Sequence, residues 1–186
     1  RKKNKNLKKV SPSIPDLNKE VSNKEVISIA ENYNFDVSNF DFAASGSDLC
    51  YEDYNVSEKI NHIDGMTVEE AEHMMATKLY QNNAKVHFNH FVEKGGRFGK
   101  RIVYGGHVIS LTRALTFNGL SNAFKIIAIN GGTHASPCFA GTTVFAWSTI
   151  LDKIEVSDKL GALRIRSNGI GDAQAYQFQH RDANNR

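Results

Sequence analysis

The sequence predicts an α+β domain, one long helix packed against an antiparallel sheet, on three observations. Val108, Leu111 and Leu115 recur at helical spacing within residues 106–118. Downstream, AFKIIAIN, TTVFAWSTILDKIEV and GALRIRS are rich in Val, Ile, Phe and Trp and are separated by GGTHASPCFAG and SDKL, a pattern of strands joined by turns. A length of 186 residues, 40% of them hydrophobic, suffices for one core.

Residues 1–48 are polar and rich in Asn, Lys and Ser, and the basic excess behind a net charge of +3 sits in RKKNKNLKK. This predicts a solvated, largely irregular arm, with NKEVISIAENY giving one or two turns of helix. The basic run RKKNKNLKK places no aromatic residue between its charges, so neither nucleic acid nor a membrane surface is expected as a partner. No run reaches the ~20 apolar residues of a membrane span, and no apolar stretch follows the basic run as in a signal peptide. The expectation is a cytoplasmic protein. Cys50 and Cys138 have no CxxC spacing and read as reduced thiols, with a single disulfide between them left open.

EKINHIDGMT reads as a first strand ending near Gly65 and Thr67. T-V-E-E then suggests a capping box, Thr67 with Glu70, opening a helix to about Gln81 whose apolar face is Val68, Ala71, Met75 and Leu79. Residues 82–100 carry three glycines and little periodicity, and predict a loop. The long helix follows from Gly106 to about Asn118, with Phe117 extending its buried stripe and Gly119 as its stop. Residues 169–186 form a polar tail in which Tyr176 and Phe178 make a short edge strand at most.

Two short stretches suggest chemistry: YQNNAKVH, ending at His87, and IVYGGH, around Gly105. Bare backbone at the amino end of a buried helix exposes N–H groups at its positive pole, where a developing oxyanion is stabilised. The plainer reading is that Gly105 and Gly106 only let the chain turn. His87, between Val86 and Phe88, is likewise either a satisfied structural residue or an acid/base.

The segment YQNNAKVHFNHFVEKGGRFGKRIVYGGHVISL, residues 80–111, resembles the hydratase motif of the MaoC-like dehydratases and (R)-specific enoyl-CoA hydratases, which have the hotdog fold. In that motif an Asp is followed after four residues by a His, then a loop with a Phe, then Pro-Ile-x-His-Gly. His87 falls on the histidine, Phe98 on the phenylalanine and residues 102–105 on the helix start. PCFAGTTV, from Pro137, is similar to the family's turn between strands, and the resemblance runs over most of residues 50–167. The aspartate is replaced by Asn82, the motif's following Asn-Pro by Ala84-Lys85, the Asp two residues past the histidine by Asn89, and the histidine before the glycine by Tyr104.

The resemblance implies a hotdog domain over 49–168 that acts as a hydratase or dehydratase on a 2-enoyl-CoA. His87 would be the acid/base, Asn82 would orient the water, and the Gly105 N–H would be the oxyanion donor. Asn82 can hold a water but cannot take its proton. Tyr104, Gly106 and His107 are the remaining candidates at the helix start, with His107 equally able to face the core. Arg97, Lys100 and Arg101 are candidate partners for the CoA phosphates. His90 and His134 match no motif position and read as surface histidines. A hotdog thioesterase and an acyl-CoA-binding module without turnover are the alternatives. No metal and no cofactor beyond the CoA of the substrate is expected. In this family sites lie between two modules, which implies a homodimer or higher even assembly.

Overall fold

The structure is a computed structural model that describes residues 20–172. Its elements in chain order are α1 (Asn23–Tyr33), α2 (Phe42–Ser45), a 3-10 turn (Tyr51–Asp53), β1 (Lys59–Thr67), α3 (Glu70–Leu79), α4 (Lys85–Phe88), α5 (His90–Glu93), α6 (Gly105–Leu115), α7 (Phe117–Leu120), β2 (Thr143–Ser157) and β3 (Leu160–Gly171). The strands form one antiparallel sheet in the order β1-β2-β3. The predicted basic run and the Tyr176 and Phe178 edge strand lie outside the described residues.

The long helix is α6, and its buried face is His107, Leu111, Thr112 and Leu115. Leu111 and Leu115 pack with Val68, Val103, Val144 and Ala146 of the sheet side, which joins the helix to β2 and to the end of β1. The regular helix stops at Leu115, earlier than Asn118, because non-helical angles at Asn118 and a φ of 103° at Gly119 bend the chain. Phe117 is turned outward by this bend and is 60% exposed, so it does not extend the stripe.

The described part of the arm, residues 20–48, holds more helix than its composition suggests. NKEVISIAENY forms about three turns, opened by a capping box between Ser22 and Glu25. Val26 and Ala30 are buried. Arg164 of β3 donates to the Val21 carbonyl at 2.8 Å, and Asn23 donates to Asp152 of β2 at 3.1 Å. Cys50 and Cys138 are both free.

Three further expectations change. AFKIIAIN is not a strand: β3 pairs only with β2 among the described residues, so this segment finds no ladder, and Phe124, Ile126 and Ile129 stay exposed. Phe124 instead meets the rings of Phe35 and Phe40, and Lys125 lies over Tyr33. Thr67 does not cap α3, because it stays in the sheet opposite Thr143 with their hydroxyls 2.8 Å apart. The cap passes to Glu69, whose N–H donates to the Glu72 carboxylate. The Ala71, Met75 and Leu79 stripe faces solvent, Met75 at 69% and Leu79 at 70% exposed, while His73, Ala76 and Thr77 are buried. Helical periodicity locates a stripe, but the contacts of its neighbours decide which side is covered.

The three strands meet the bend after the long helix through a polar chain centred on buried His62 and Ser148. His62 on β1 is fully buried. Its Nδ1–H donates to the Asn118 carbonyl at 2.6 Å, so Nε2 of the neutral ring accepts from the Ser148 hydroxyl of β2 at 2.8 Å. Ser148 Oγ lies 2.9 Å from Ser167 Oγ of β3. Burial pushes the His62 imidazole below its ordinary value of 6.5, Arg113 adds to this, and the bond to Asn118 only partly opposes it. The folded state therefore binds this proton less tightly than the unfolded chain, and stability is full above about pH 6.5 and falls as the pH drops below it. The urea midpoint is expected to be lower at about pH 5.5 than at about pH 7.5, and His62→Gln to flatten that slope. An unchanged slope in the variant would move the effect to another group. The depressed Glu70 carboxyl acts only below its ordinary value of 4.5 and leaves this window clear.

Candidate active site

The segment after α3 is not a plain loop. The Asn82 side-chain carbonyl accepts from the Ala84 N–H at 2.9 Å and turns the chain into α4, the single turn that carries His87. Asn89 caps α5 in the same way through the Val92 N–H. The Ile102 N–H donates to the Val86 carbonyl at 3.1 Å, and His87 Nδ1 donates to the Ile102 carbonyl at 2.9 Å. A carbonyl can only accept, so Nδ1 carries the hydrogen and Nε2 of the neutral ring carries a lone pair. The half-buried His87 ring meets the edge of Tyr104 at 5.9 Å, and Tyr80 lies 6.4 Å from Tyr104 on the other side.

The chain enters α6 through Val103, whose N–H donates to the Cys138 carbonyl at 2.8 Å. Tyr104 is the N-cap residue and offers no side-chain bond to the helix. Neither the Gly105 nor the Gly106 amide has an acceptor among the described residues, so both N–H groups are open at the positive end of the helix.

The glycine pair permits a close approach of side chains and does not serve unusual dihedrals, since neither residue has a positive φ. A Cβ at position 105 would sit 2.5 Å from His134 Nε2, and one at position 106 would sit 2.6 Å from the Tyr104 hydroxyl. The His134 and Tyr104 rings lie directly on the first turn, and a Cβ at either glycine would displace them.

Several sequence expectations are altered by this geometry. His134 is an exposed loop residue, as expected, but the loop through Cys138 carries its ring onto Gly105. No periodicity or motif marks it, so the sequence held no signal for it. His107 faces inward, is 8% exposed, and has Nε2 3.0 Å from Glu72 Oε1 without hydrogen-bond geometry. It points at α3 and not at the open end of the helix. Arg101 is paired with Glu70 and its side chain is only 15% exposed, so it is committed to α3 and not free for a phosphate. Burial pushes the Glu70 carboxyl up, but the bond from His73 and the charge of Arg101 outweigh it and hold the carboxyl below its ordinary range.

Arg97 and Lys100 remain exposed, over the rings of Phe98 and Phe139 at 5.1 Å and 4.2 Å. Those two rings meet edge-on at 5.4 Å. No hydrogen bond joins Asn82 to His87. The Asn82 carbonyl is already used in its turn, which leaves its NH2 group for other partners. Among the described residues no group of His, Cys, Asp and Glu could hold a metal ion.

The first turn of α6 thus gathers two open amides, one imidazole of fixed tautomer, a tyrosine and a second imidazole. Such an arrangement can polarise a carbonyl oxygen and move a proton beside it.

The chain is 49% identical over 185 residues to β-methylmalyl-CoA dehydratase of Chloroflexus aurantiacus, covering 98% of this chain and 52% of that protein. It is 51% identical over 157 residues to mesaconyl-CoA hydratase of Cereibacter sphaeroides, covering 84% of this chain and 44% of that protein. The solved structure of a MaoC domain protein from Chloroflexus aurantiacus J-10-fl superposes with a TM-score of 0.81 at 49% identity, over 98% of this chain and 52% of that one. The chain therefore spans about half the length of the curated relatives it matches. No family model matches it. Close to half of all residues agree along nearly the whole chain, and the helix, the sheet and the His87 segment fall within the matched span. On that likeness the chain belongs to the MaoC-like dehydratases and (R)-specific enoyl-CoA hydratases of the hotdog fold.

Proposed function

We propose that this chain adds water to, and removes it from, the 2,3 double bond of an enoyl-CoA thioester, with mesaconyl-CoA and β-methylmalyl-CoA as the pair it interconverts. The observation that carries the reading is the free Nε2 of His87 in a ring packed on Tyr104, the residue that leads into the open amides of Gly105 and Gly106. The names of the two relatives, a dehydratase and a hydratase of CoA thioesters, favour it over thioester hydrolysis and over binding without turnover.

In this mechanism His87 Nε2 takes a proton from water as the oxygen bonds to C3. The electrons of the double bond move toward the thioester oxygen, which the amides at the start of α6 stabilise by about 3 kcal/mol per donor. The imidazolium then returns its proton to C2, so water is added without any other acid. Asn82 orients the water through its NH2 group, and Tyr104 walls the site. Arg97 and Lys100 hold the CoA phosphates.

We further infer that the module works paired with a second copy. The exposed Phe124, Ile126 and Ile129, and an edge of β3 that pairs with no described strand, support a covered face. No described helix is long and apolar enough to cross a membrane, and action on CoA thioesters suits the cytoplasm.

Incubation with mesaconyl-CoA is expected to remove the absorbance of the conjugated thioester without releasing free thiol. Thiol release with the double bond intact would establish a thioesterase instead. Neither change, at protein concentrations that shift its melting temperature with CoA thioesters, would make it a binding module.

A further inference from the structure

We propose that His134 is a second catalytic residue of this site, donating a hydrogen bond from Nε2 to the thioester carbonyl beside the Gly105 and Gly106 amides. The inference rests on the hydratase reading for its chemistry, and on geometry for its position.

The position is specific. His134 Nε2 is the ring atom nearest the place where a Cβ of residue 105 would stand, and the ring covers that residue. Tyr104 covers Gly106 in the same manner, and His87 packs on Tyr104 at 5.9 Å. Both imidazoles thus lie near the start of α6. The loop that carries His134 is held at both ends: the Asn130 side chain accepts from the Val21 N–H at 2.9 Å, and the Cys138 carbonyl accepts from the Val103 N–H.

The ring has no partner of its own. Neither nitrogen of His134 makes a hydrogen bond among the described residues, and the residue is exposed, so its ring lies over Gly105 with both nitrogens open to a ligand. His87 and His62, by contrast, each spend a nitrogen on a backbone carbonyl. On the same turn two amides also lack acceptors. With its hydrogen on Nε2, His134 adds a third donor at this turn, and the group that such a set would hold is an oxygen gaining negative charge.

The two histidines then divide the reaction. His87 takes the proton of water and returns it to C2, while the Nε2–H of His134 stays bonded and only shares its hydrogen with the thioester oxygen. Atoms and charge balance as before, and no further reactant is needed. The expected partner of the motif histidine, an aspartate, is Asn82 here, and His134 supplies a polar contact that the motif does not contain.

The test uses the full 186-residue chain. His134→Ala is expected to lower kcat for mesaconyl-CoA hydration by about 10²–10³-fold with little change in KM, the size found when one oxyanion donor is lost. His134→Gln, which keeps a donor, is expected to recover at least about tenfold of that loss. A kcat within about twofold of the parent in His134→Ala, or no recovery in His134→Gln, overturns the proposal.

A second measurement separates it from the hydratase reading. The side-chain nitrogen resonances of His134, assigned by their loss in His134→Ala, are followed on adding saturated butyryl-CoA, which cannot be hydrated. A shift of Nε2 without any hydration of mesaconyl-CoA keeps His134 as the carbonyl ligand and removes the hydratase reading. Hydration with an unmoved Nε2 removes His134 and keeps the reading.

Discussion

His87→Ala is expected to lower the rate of mesaconyl-CoA hydration by about 10²–10⁴-fold, the range for loss of a positioned general base. In this mechanism the free Nε2 of His87 is the base, and Asn82 cannot take over because an amide does not accept a proton at neutral pH. Stability should change far less. The ring is half-buried and contributes one hydrogen bond, to Ile102, so about 1 kcal/mol is lost. Steady-state rates and a urea melt on the same preparation check both parts. A rate within about threefold of the parent, in a variant that folds normally, would remove His87 from the mechanism.

Ile150→Ala should have the largest effect on folding, about 2–5 kcal/mol. Ile150 has no exposed surface and packs with Tyr54 and Leu120, with Ile60, Ala123, Leu163 and Ile165 around them. Its backbone also anchors the lead into β1, since its carbonyl accepts from Ser57 and its N–H donates to the Glu58 carbonyl. Removing three carbons there leaves a cavity that three strands and the end of α7 cannot close without breaking their register. The other core cluster, around Val68, Val103, Leu111 and Leu115, holds the helix start and should be affected less. Ile129→Ala, at 74% exposure, serves as the comparison and should stay within about 0.5 kcal/mol. A urea-derived loss below about 1 kcal/mol for Ile150→Ala would mean that this cluster does not organise the sheet.

Much of the fold was legible because it depends on local pattern. The alternation through TTVFAWSTILDKIEV gives β2, whose inward residues Val144, Ala146, Ser148 and Ile150 are all buried. The three- and four-residue spacing of Val108, Leu111 and Leu115 gives α6. AFKIIAIN carries an equally good strand composition and is not a strand, because a strand needs a neighbour to satisfy its backbone and none is beside it. On α3 the periodicity was real but the buried side was not the apolar one: His73 and Glu70 meet Arg101, and Glu72 meets His107, so contacts with α6 and its approach turn the helix.

The sequence by itself determined the strands β1 to β3, the long helix, the family likeness and the two segments that carry His87 and Gly105. These are properties of order along the chain, set by spacing and by short motifs. Only the tertiary structure decided which side chains reach the helix start and which are already committed elsewhere. Arg101 and His107 lie beside the motif in sequence yet point at α3, whereas His134, on a distant loop without a motif, lies on Gly105. The physical reason is that a side chain's direction depends on the rotation of its helix and the path of its loop, both fixed by packing between segments far apart in the chain.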